Sequence, residues 1–350
     1  MEKIYSQFAI EGLPVSCAPY GSGHINQTYL LVTSRPRLYI LQGLNTHVFK
    51  NMDGLMGNVI AVTEHLRKKS SDPRAALRLV PTVDGKPYLH TEDGKYYRMY
   101  DFVLDSLCLD KAETPDDLYQ SGVAFGAFQN QLADFPAETL TETIPHFHDT
   151  PDRYRLFREA IVADKAGRLK DVQAEVDAFL SYEKEAGTLV NMGLPLRVTH
   201  NDTKLNNVML DAATRTPLCV IDLDTVMPGL AANDFGDTIR FGAATAAEDE
   251  KDLSKVEMSL ELYRAYASGF LKACGDRLTE QEIDTLPWGA KLMTLECGVR
   301  FLTDYLNGDV YFHVKYEGQN LDRCRTQLKL VRDMETKWDE MNHIIAELKA

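Results

Sequence analysis

Three short stretches in the second half of the chain decide the fold. They read H-N-D-T-K-L-N-N-V-M-L at residues 200–210, V-I-D-L-D-T at residues 220–225 and N-D-F-G-D at residues 233–237. Asp202 follows an apolar run after His200 and Asn201, Asn207 stands five residues later, and Asp222 ends the next apolar run. Short β-branched runs predict strands near 196–199 and 218–221, with the polar loop between them. This hairpin would bring the three side chains to one end.

Such a set of side chains suits phosphoryl transfer. That reaction needs a base aimed at an acceptor hydroxyl, oxygen ligands for Mg2+, and positive charge near the transferred phosphoryl group. Asp202 is the candidate base, and Asn207 and Asp222 are the candidate Mg2+ ligands. Lys204, two residues after the base, is the candidate catalytic cation at the γ-phosphate.

The spacing of the set is more informative than any one member. An isolated Asp or Asn in a loop is usually a turn or capping residue, and Asp224 by itself is equally well explained in this way. A His-x-Asp with Asn five residues after the Asp, followed about 20 residues later by an apolar strand that ends in Asp, matches the catalytic loop and metal-binding Asp of protein kinases. His200 and Asp237 are then expected to hold the loop backbone.

Composition places the chain among ordinary globular proteins. It has 350 residues, 44% of them hydrophobic and 26% charged, and a formal net charge of -14. This length suffices for two lobes, and the acidity disfavours nucleic acid and anionic membranes as partners. The N-terminal stretch lacks a continuous apolar segment, and six scattered cysteines form no C-x-x-C pair. We therefore expect a cytoplasmic protein without a zinc site or disulfides, and nothing in the sequence demands more than a monomer.

The pattern of the whole chain predicts an α+β fold with two lobes. Residues 1–103 are expected to form a small lobe with a mixed β-sheet and one main helix, and residues 104–350 a larger, mainly helical lobe, with a hinge near 99–103. In the small lobe we predict a hairpin from 28–32 and 38–41, a helix at about 51–69, and strands near 86–90 and 96–103. In the large lobe we predict helices at 115–133, 151–165, 168–187, 250–274, 280–306 and 320–348.

The motif stretches resemble the aminoglycoside and choline phosphotransferase superfamily, which shares the protein-kinase-like fold. Within it, four further segments are most similar to the N-acetylhexosamine 1-kinases. They read G-H-I-N-Q-T-Y at 23–29, Y-I-L-Q-G-L-N-T-H-V-F-K at 39–50, E-C-G-V-R-F-L-T-D-Y-L-N-G-D-V-Y-F at 296–312 and R-C-R-T-Q-L-K-L-V at 323–331. The likeness runs from about residue 20 to about residue 340.

The resemblance implies transfer of the γ-phosphate of ATP, with Mg2+, to the anomeric hydroxyl of N-acetylglucosamine or N-acetylgalactosamine. The choice between the two sugars stays open, because it depends on the orientation of one hydroxyl. The resemblance implies that Asp202 is the catalytic base and that Asn207 and Asp222 are the Mg2+ ligands, which are the roles that the chemistry of phosphoryl transfer also suggests. It places the sugar-binding residues at Arg300, Tyr311 and Trp338, and we take Asp224 as a further substrate contact. Trp338 also lies on the apolar stripe of its predicted helix, which a core position would explain.

The nucleotide contacts are less specific in sequence. The turn Gly21-Ser22-Gly23-His24 is expected to cover the phosphates with its backbone amides, although two glycines also suit a simple turn. The adenine is expected at the segment that connects the lobes, at Tyr100, Asp101 and Phe102.

A protein kinase carries a Lys on its third strand that neutralises the α- and β-phosphates. Here the corresponding segment ends in Gln42, a residue that the N-acetylhexosamine kinase resemblance includes. Lys50 and Lys204 are the candidates for the missing cation.

Two other functions remain open from the sequence. One is a kinase of the same fold for choline, homoserine or an aminoglycoside, against which Arg300 argues because a cationic acceptor avoids a cationic pocket. The other is a catalytically silent nucleotide-binding protein, which the missing third-strand Lys favours. Retention of Asp202, Asn207 and Asp222 argues against that second alternative.

Overall fold

The computed structural model describes residues 1–21, 25–35 and 37–349. Its helices and strands, numbered in chain order, confirm the predicted α+β class. The strands are β1 (Pro14–Pro19), β2 (Gln27–Thr33), β3 (Leu38–Gly43), β4 (Leu89–His90), β5 (Tyr96–Asp101), β6 (Ser106–Leu107), β7 (Arg197–Thr199), β8 (Val208–Asp211), β9 (Pro217–Val220) and β10 (Met227–Gly229). The α-helices are α1 (Glu2–Tyr5), α2 (Met52–Lys69), α3 (Pro115–Gln131), α4 (Thr150–Ala163), α5 (Gln173–Ser181), α6 (Ala231–Gly242), α7 (Leu260–Cys274), α8 (Glu280–Asp284), α9 (Leu286–Asn307), α10 (Gln319–Thr336) and α11 (Trp338–Lys349).

The chain divides into two compact units. The first comprises Met1–Leu107, Asp134–Pro145 and Met209–Pro228, and the second comprises Cys108–Ala133, His146–Val208 and Gly229–Ala350. Asp222 and Asp224 therefore belong to the first unit, together with the N-terminal sheet. No helix in the described part of the chain is long and apolar enough to cross a lipid bilayer.

The first unit contains a five-stranded sheet in the order β1-β2-β3-β5-β4 with antiparallel neighbours. The predicted hairpin of β2 and β3 is confirmed, and β5 lies beside β3 with Gln42 opposite Arg98. One face of the sheet carries a buried cluster of apolar side chains, listed here as Phe8, Leu31, Tyr39, Leu41, Val80 and Met99. Because successive strand residues point to opposite faces, Gln42 and Arg98 share the other face.

Helix α2 agrees closely with its predicted range of 51–69. The side chain of Asn51 caps it by accepting a hydrogen bond from the amide of Gly54 at 2.9 Å. The apolar stripe that predicted it is buried. Asn58, also buried, donates from its amide nitrogen to the carbonyl oxygens of Thr141 at 2.7 Å and Val226 at 2.9 Å. The helix is thereby tied to the backbone just beyond Asp224.

The predicted hairpin around the catalytic loop is wrong in its pairing. Strand β9 pairs with β8, at residues 208–211, in a sheet of order β6-β8-β9. Residues 208–211 are predicted to lie in the polar loop, because Val208-Met209-Leu210 is too short an apolar run to stand out beside Asn206 and Asn207, but they form β8. The turn between β8 and β9 includes Arg215 in the left-handed region, at φ 57°.

The second unit is helical, and four of the six helices predicted there begin within one residue of the predicted start, namely those that begin α3, α4, α8 and α10. Helix α3 starts with a capping box between Thr114 and Asp117, with Pro115 in the first turn. The helix predicted from 250 begins only at Leu260, and the one predicted over 168–187 is shortened to α5 with 3-10 turns on either side. The predicted helices at 280–306 and 320–348 are each divided in two, as α8 and α9 and as α10 and α11.

Helix α6 was not predicted at all, because its polar residues interrupt the apolar period. Ten of its residues are nevertheless buried. It packs closely on α9: a Cβ at Gly236 would lie 2.1 Å from the carbonyl oxygen of Gly289, and a Cβ at Gly289 would lie 2.0 Å from that of Ala232. Only glycine allows two helix backbones to approach so closely. This contact fixes the position of the acidic residues that α6 presents.

Candidate active site

The loop that follows β7 is held by two carboxylates from α6. Asp234 is buried, and its oxygens accept hydrogen bonds from the amides of His200 at 2.9 Å and Asn201 at 2.8 Å. The side chain of Gln129 donates to the same carboxylate at 2.9 Å. Asn201 adopts a left-handed backbone at φ 63°, which Asn tolerates better than most residues. Asp234 thus fixes the turn immediately before Asp202.

Asp237 holds the next residues of the loop, so the structural role predicted for it is confirmed. Its Oδ2 accepts a hydrogen bond from the amide of Thr203 at 2.9 Å, and its Oδ1 lies 3.2 Å from Nη2 of the buried Arg240. His200, completely buried, accepts a hydrogen bond from the amide of Asp202 at its Nδ1, at 3.3 Å. Asp202 is therefore fixed on both sides by buried groups.

The side chain of Asp202 lies beside Lys204 and Asn207. Lys204 Nζ is 2.6 Å from Asp202 Oδ1, and Asn207 Nδ2 donates to the Asp202 carbonyl oxygen at 2.8 Å and to Oδ2 at 3.2 Å. Burial alone would raise the pKa of Asp202, but the adjacent Lys204 ammonium outweighs it and the pKa lies below its ordinary value. Asp202 is thus ionised at neutral pH. The amide nitrogen of Asn207 is engaged, which leaves its Oδ1 as the atom for a cation.

In the first unit, Asp222 follows β9 in a left-handed conformation, at φ 59° and ψ 57°. Two residues later the carboxylate of Asp224 is buried and engaged by side chains of its own unit. Asn26 donates to its Oδ2 at 2.6 Å, and Arg98 forms a buried ion pair with its Oδ1. The side chain of Thr143 donates to the Asp224 carbonyl oxygen at 2.9 Å. The substrate contact predicted for Asp224 stays a prediction.

Arg98 was not singled out by the sequence, although a cation in the middle of a predicted strand was an available signal. Its Nε donates to Gln42 Oε1 at 2.9 Å, and its guanidinium lies 5.2 Å from the centre of the Tyr100 ring. Burial alone would lower its pKa, but the Asp224 carboxylate outweighs burial and raises the pKa above the ordinary value. The guanidinium therefore remains charged.

Some predicted nucleotide contacts lie outside the described residues, namely those of Ser22, Gly23 and His24. Gly21 is described, with φ 77°. The amides of Asp101 and Phe102 donate to the carbonyl oxygens of Arg78 and Leu38. Tyr100 is buried, and its Oη has no hydrogen-bond partner among the described residues. The adenine contacts at Tyr100, Asp101 and Phe102 stay predictions.

The two predicted Mg2+ ligands are in different units, Asn207 in the second and Asp222 in the first. Over residues 1–21, 25–35 and 37–349, no cluster of three or more His, Cys, Asp or Glu side chains is positioned to hold a metal ion. Mg2+ in phosphoryl-transfer enzymes needs only one or two protein oxygens, since phosphate oxygens and water complete its shell. An Asn and an Asp fit that requirement.

A cavity of about 490 Å³ lies in the second unit. It is bounded by α4, the C-terminal half of α9 and the segment 310–312, and Arg300, Tyr311 and Arg153 line it. The side chain of Arg300 is 14% exposed, and its guanidinium lies 5.2 Å from the ring centre of Phe147 and 5.9 Å from that of Tyr311. Asp304 shapes the cavity wall by accepting hydrogen bonds from the amides of residues 310, 311 and 312.

Arg153 was missed by the sequence analysis. Its Nη2 donates to the carbonyl oxygen of Phe147 at 2.6 Å, while its Nε is buried without a hydrogen-bond partner among the described residues. Burial lowers its pKa, and the nearby Arg300 lowers it further. Two guanidinium groups therefore face one cavity.

The cavity is connected to the catalytic loop through buried groups. Glu296 Oε1 lies 3.9 Å from Arg300 Nη1 and 2.9 Å from His148 Nδ1. His148 Nε2 in turn lies 3.0 Å from the carbonyl oxygen of Asn201, the residue before Asp202. The sequence offered no signal for this connection, because His148 and Glu296 are 148 positions apart.

Trp338 does not line the cavity that contains Arg300 and Tyr311. It begins α11 and packs edge-on against Trp288, with the ring centres 5.0 Å apart. Both indoles line a separate cleft of about 350 Å³ that also contains Lys291. The structure thus brings Arg300 and Tyr311 together and places Trp338 in a second cleft, where its predicted sugar contact stays a prediction.

These features are those of a small-molecule phosphotransferase. Residues 16–267 match the model of the family described as "Phosphotransferase enzyme family". The match spans well over half of the chain, and the chain belongs to this family. The predicted superfamily is thereby confirmed.

Solved structures of the same fold include several small-molecule kinases. An amicoumacin kinase, solved in complex with AMP-PNP, Ca2+ and Ami, is 13% identical with a TM-score of 0.65, covering 93% of this chain and 90% of its own. A microcompartment-associated aminopropanol kinase is 15% identical with a TM-score of 0.60, covering 96% of both chains. An ethanolamine kinase from Plasmodium vivax is 14% identical with a TM-score of 0.57, covering 89% of this chain and 81% of its own. At these identities the likeness is one of fold.

Proposed function

We propose that this phosphotransferase is an ATP-dependent N-acetylhexosamine 1-kinase, which converts N-acetylglucosamine or N-acetylgalactosamine and ATP into the sugar 1-phosphate and ADP. The observation that carries the proposal is the ionised loop carboxylate of Asp202, whose two neighbours, Asn201 and Thr203, donate their amides to Asp234 and Asp237. Use of ATP is supported by the AMP-PNP complex of the structurally similar amicoumacin kinase.

In the proposed reaction, Asp202 orients the anomeric hydroxyl and accepts its proton as the hydroxyl oxygen attacks the γ-phosphorus in line. The bond from that phosphorus to the β,γ-bridging oxygen breaks, and ADP leaves. Lys204 stabilises the negative charge on the transferred group. Asn207 and Asp222 would hold Mg2+, which when bound neutralises charge on the phosphate oxygens. Positioning by these residues is the main source of rate enhancement, because a phosphoryl transfer requires little covalent chemistry from the protein.

The cavity in the second unit supports a neutral, hydroxyl-rich acceptor. Its volume, about 490 Å³, lies in the range of small-molecule sites. The guanidinium groups of Arg300 and Arg153 donate hydrogen bonds that sugar hydroxyls or an acetamido carbonyl accept, and the face of Tyr311 suits a pyranose ring.

A second candidate is a kinase for an amino alcohol, which the aminopropanol and ethanolamine kinases of the same fold favour. The two arginines in the cavity oppose it, because an ammonium group placed beside them would be repelled.

Phosphorus NMR of the protein with ATP, Mg2+ and a panel of acceptors tests the proposal. A sugar 1-phosphate signal with N-acetylhexosamines, absent from the Asp202→Asn variant, is expected. Transfer only to choline, ethanolamine, homoserine or an aminoglycoside would replace the proposal by the second candidate. ATP binding without transfer to any acceptor would instead identify a catalytically silent protein.

A further inference from the structure

Protein kinases orient the nucleotide phosphates with an ion pair, and the first unit of this chain carries different residues at both positions of that pair. In protein kinases, a Lys on the third strand is paired with a Glu of the adjacent helix. Here β3 carries Gln42, and the buried polar side chains of α2 are Asn58 and Thr63, both of which bind backbone carbonyl oxygens. A different cation is therefore needed for the nucleotide phosphates.

We infer that Arg98 supplies this positive charge and binds the α- and β-phosphates of the nucleotide. The inference rests on the proposed function in that it takes an adenine nucleotide as the phosphoryl donor. Arg98 lies directly opposite Gln42 in the register of β3 and β5, and both project from the face opposite the apolar cluster. Compared with the third-strand Lys of protein kinases, the cation is therefore on the neighbouring strand of the sheet and on the same face.

The contacts of Arg98 leave donor capacity available for a ligand. Nε donates to Gln42 Oε1 and Nη1 to Asp224 Oδ1, and together these contacts fix the plane of the guanidinium. These two contacts use two of the five N–H donors of the guanidinium. A guanidinium has five N–H donors in a rigid fork, so it binds phosphate oxygens while keeping its supporting contacts.

An independent observation points to the same location. Tyr100 lies two residues after Arg98 on β5 and therefore on the same face, and its hydroxyl is buried without a partner among the described residues. A buried hydroxyl without a hydrogen bond costs free energy, and an oxygen-rich ligand satisfies it. Arg98 and Tyr100 together present unused donors to an anion.

The two lysines proposed from sequence are less suitable for this role. Lys50 Nζ is directed to the carbonyl oxygen of Thr46 at an exposed position, and Lys204 is paired with Asp202 in the second unit. Arg98 is 1% exposed and lies in the same unit as Asp222. Its low exposure strengthens its electrostatic interaction with a phosphate, because water screens it less.

Isothermal titration of ADP and of adenosine, in the absence of any acceptor, tests the inference. For Arg98→Gln we expect the Kd of ADP to rise about 10-fold or more, since hydrogen bonds to charged groups are worth about 1.5–3 kcal/mol. The Kd of adenosine, which lacks phosphates, should change less than about twofold. Equal effects on both ligands, or no effect on ADP, would overturn the inference. Lys86→Gln, which removes an exposed cation that pairs with Asp84 in the same unit, is the matched control and should alter neither.

A second variant guards against misfolding. Arg98→Gln leaves the buried carboxylate of Asp224 without its counter-charge, which destabilises a protein strongly. The double variant Arg98→Gln/Gln42→Lys returns a cation to the third strand on the same face. We expect it to fold and to bind ADP within about fivefold of the wild type, by the same affinity scale. A folded double variant that binds ADP and adenosine more weakly to the same extent would contradict the inference.

These titrations separate the inference from the proposed function. If the wild-type protein binds ADP through Arg98 but forms no sugar 1-phosphate, the proposed sugar acceptor is wrong and the inference about Arg98 stands. If sugar 1-phosphate forms and the ADP affinity of Arg98→Gln is unchanged, the proposed function stands and the inference about Arg98 is wrong.

Discussion

His148 and Glu296 form a buried pair, with Nδ1 of the imidazole 2.9 Å from Oε1 of the carboxylate. The side chains are 7% and 0% exposed. The second ring nitrogen of His148 contacts the loop backbone at Asn201, and Glu296 faces Arg300. One pair of side chains therefore joins the catalytic loop to the wall of the proposed acceptor cavity.

The stability contributed by this pair should depend on pH. Burial alone lowers the pKa of His148, but Glu296 outweighs it, so the pKa is raised above 6.5. For Glu296, burial raises the pKa, but His148 outweighs it, so the pKa is lowered below 4.5. The stabilisation that His148 provides is complete below pH 6.5 and is lost as the pH rises through the folded-state pKa of the imidazole. The stabilisation that Glu296 provides is complete above pH 4.5 and is lost as the pH falls through the folded-state pKa of the carboxylate. The pair thus stabilises most between these two values.

A double-mutant cycle of His148→Gln and Glu296→Gln, followed by urea unfolding, measures this effect. We expect a coupling free energy of about 1–3 kcal/mol near pH 5.5 and a smaller one near pH 9. Equal coupling at both pH values would show that the two groups do not interact as ions.

Asp202→Asn should abolish most turnover while leaving nucleotide binding intact. A general base contributes about 10²- to 10⁴-fold in rate, and the amide cannot accept the hydroxyl proton. Steady-state rates with the acceptor identified by NMR and ADP titration provide the two measurements. Asp276→Asn, whose carboxylate is 93% exposed, is the matched control. A variant with a normal rate would remove Asp202 from the mechanism.

Arg300→Met and Arg153→Met should each raise the KM of the acceptor without changing the KM of ATP. Loss of a charged hydrogen bond of about 1.5–3 kcal/mol corresponds to an increase of roughly 10- to 100-fold. Arg158→Met is the control, since this residue lies on the same helix as Arg153 and pairs with Glu183 at the surface. Parallel increases in both KM values would point to a general structural defect instead.

Gly236→Ala should destabilise the second unit and also impair catalysis. The added Cβ would meet the Gly289 carbonyl at 2.1 Å, so α6 must move away from α9 and take Asp234 and Asp237 with it. We expect a loss of about 1–3 kcal/mol in the free energy of unfolding. Gly57→Ala, at an exposed position of α2 with no atom within 4 Å of the new Cβ, should instead stabilise the protein by about 0.5–1 kcal/mol. Chemical denaturation of both variants tests the contrast.

Local sequence signals predicted much of the fold. The β2–β3 hairpin, α2 and α3 each carry a clear period or cap, and the structure confirms them. Helix α6 could not be predicted in this way, since its buried positions include Asn233, Asp234 and Asp237 beside the apolar Phe235 and Ile239. The break between α10 and α11 was missed because the apolar stripe continues across it.

The same limit applies to the candidate site. Asp202, Lys204 and Asn207 lie within six residues of one another, so their spacing was sufficient to group them. Arg98 and Asp224 are 126 positions apart, and no local pattern links them. Their pairing is a product of the fold, as is the convergence of Arg153 and Arg300 from two helices.

Trp288 and Trp338 pack edge-on in the second cleft, so the intrinsic fluorescence of the protein reports on that cleft. The sequence contains two tryptophans, and both lie there, 5.0 Å apart and close to the ammonium group of Lys291. Tryptophan emission of the unlabelled enzyme therefore originates from one location in the second unit. A sugar that reaches Trp338 changes that emission, whereas a sugar confined to the cavity of Arg300 leaves it constant, so a fluorimeter distinguishes the two binding modes before any variant is made.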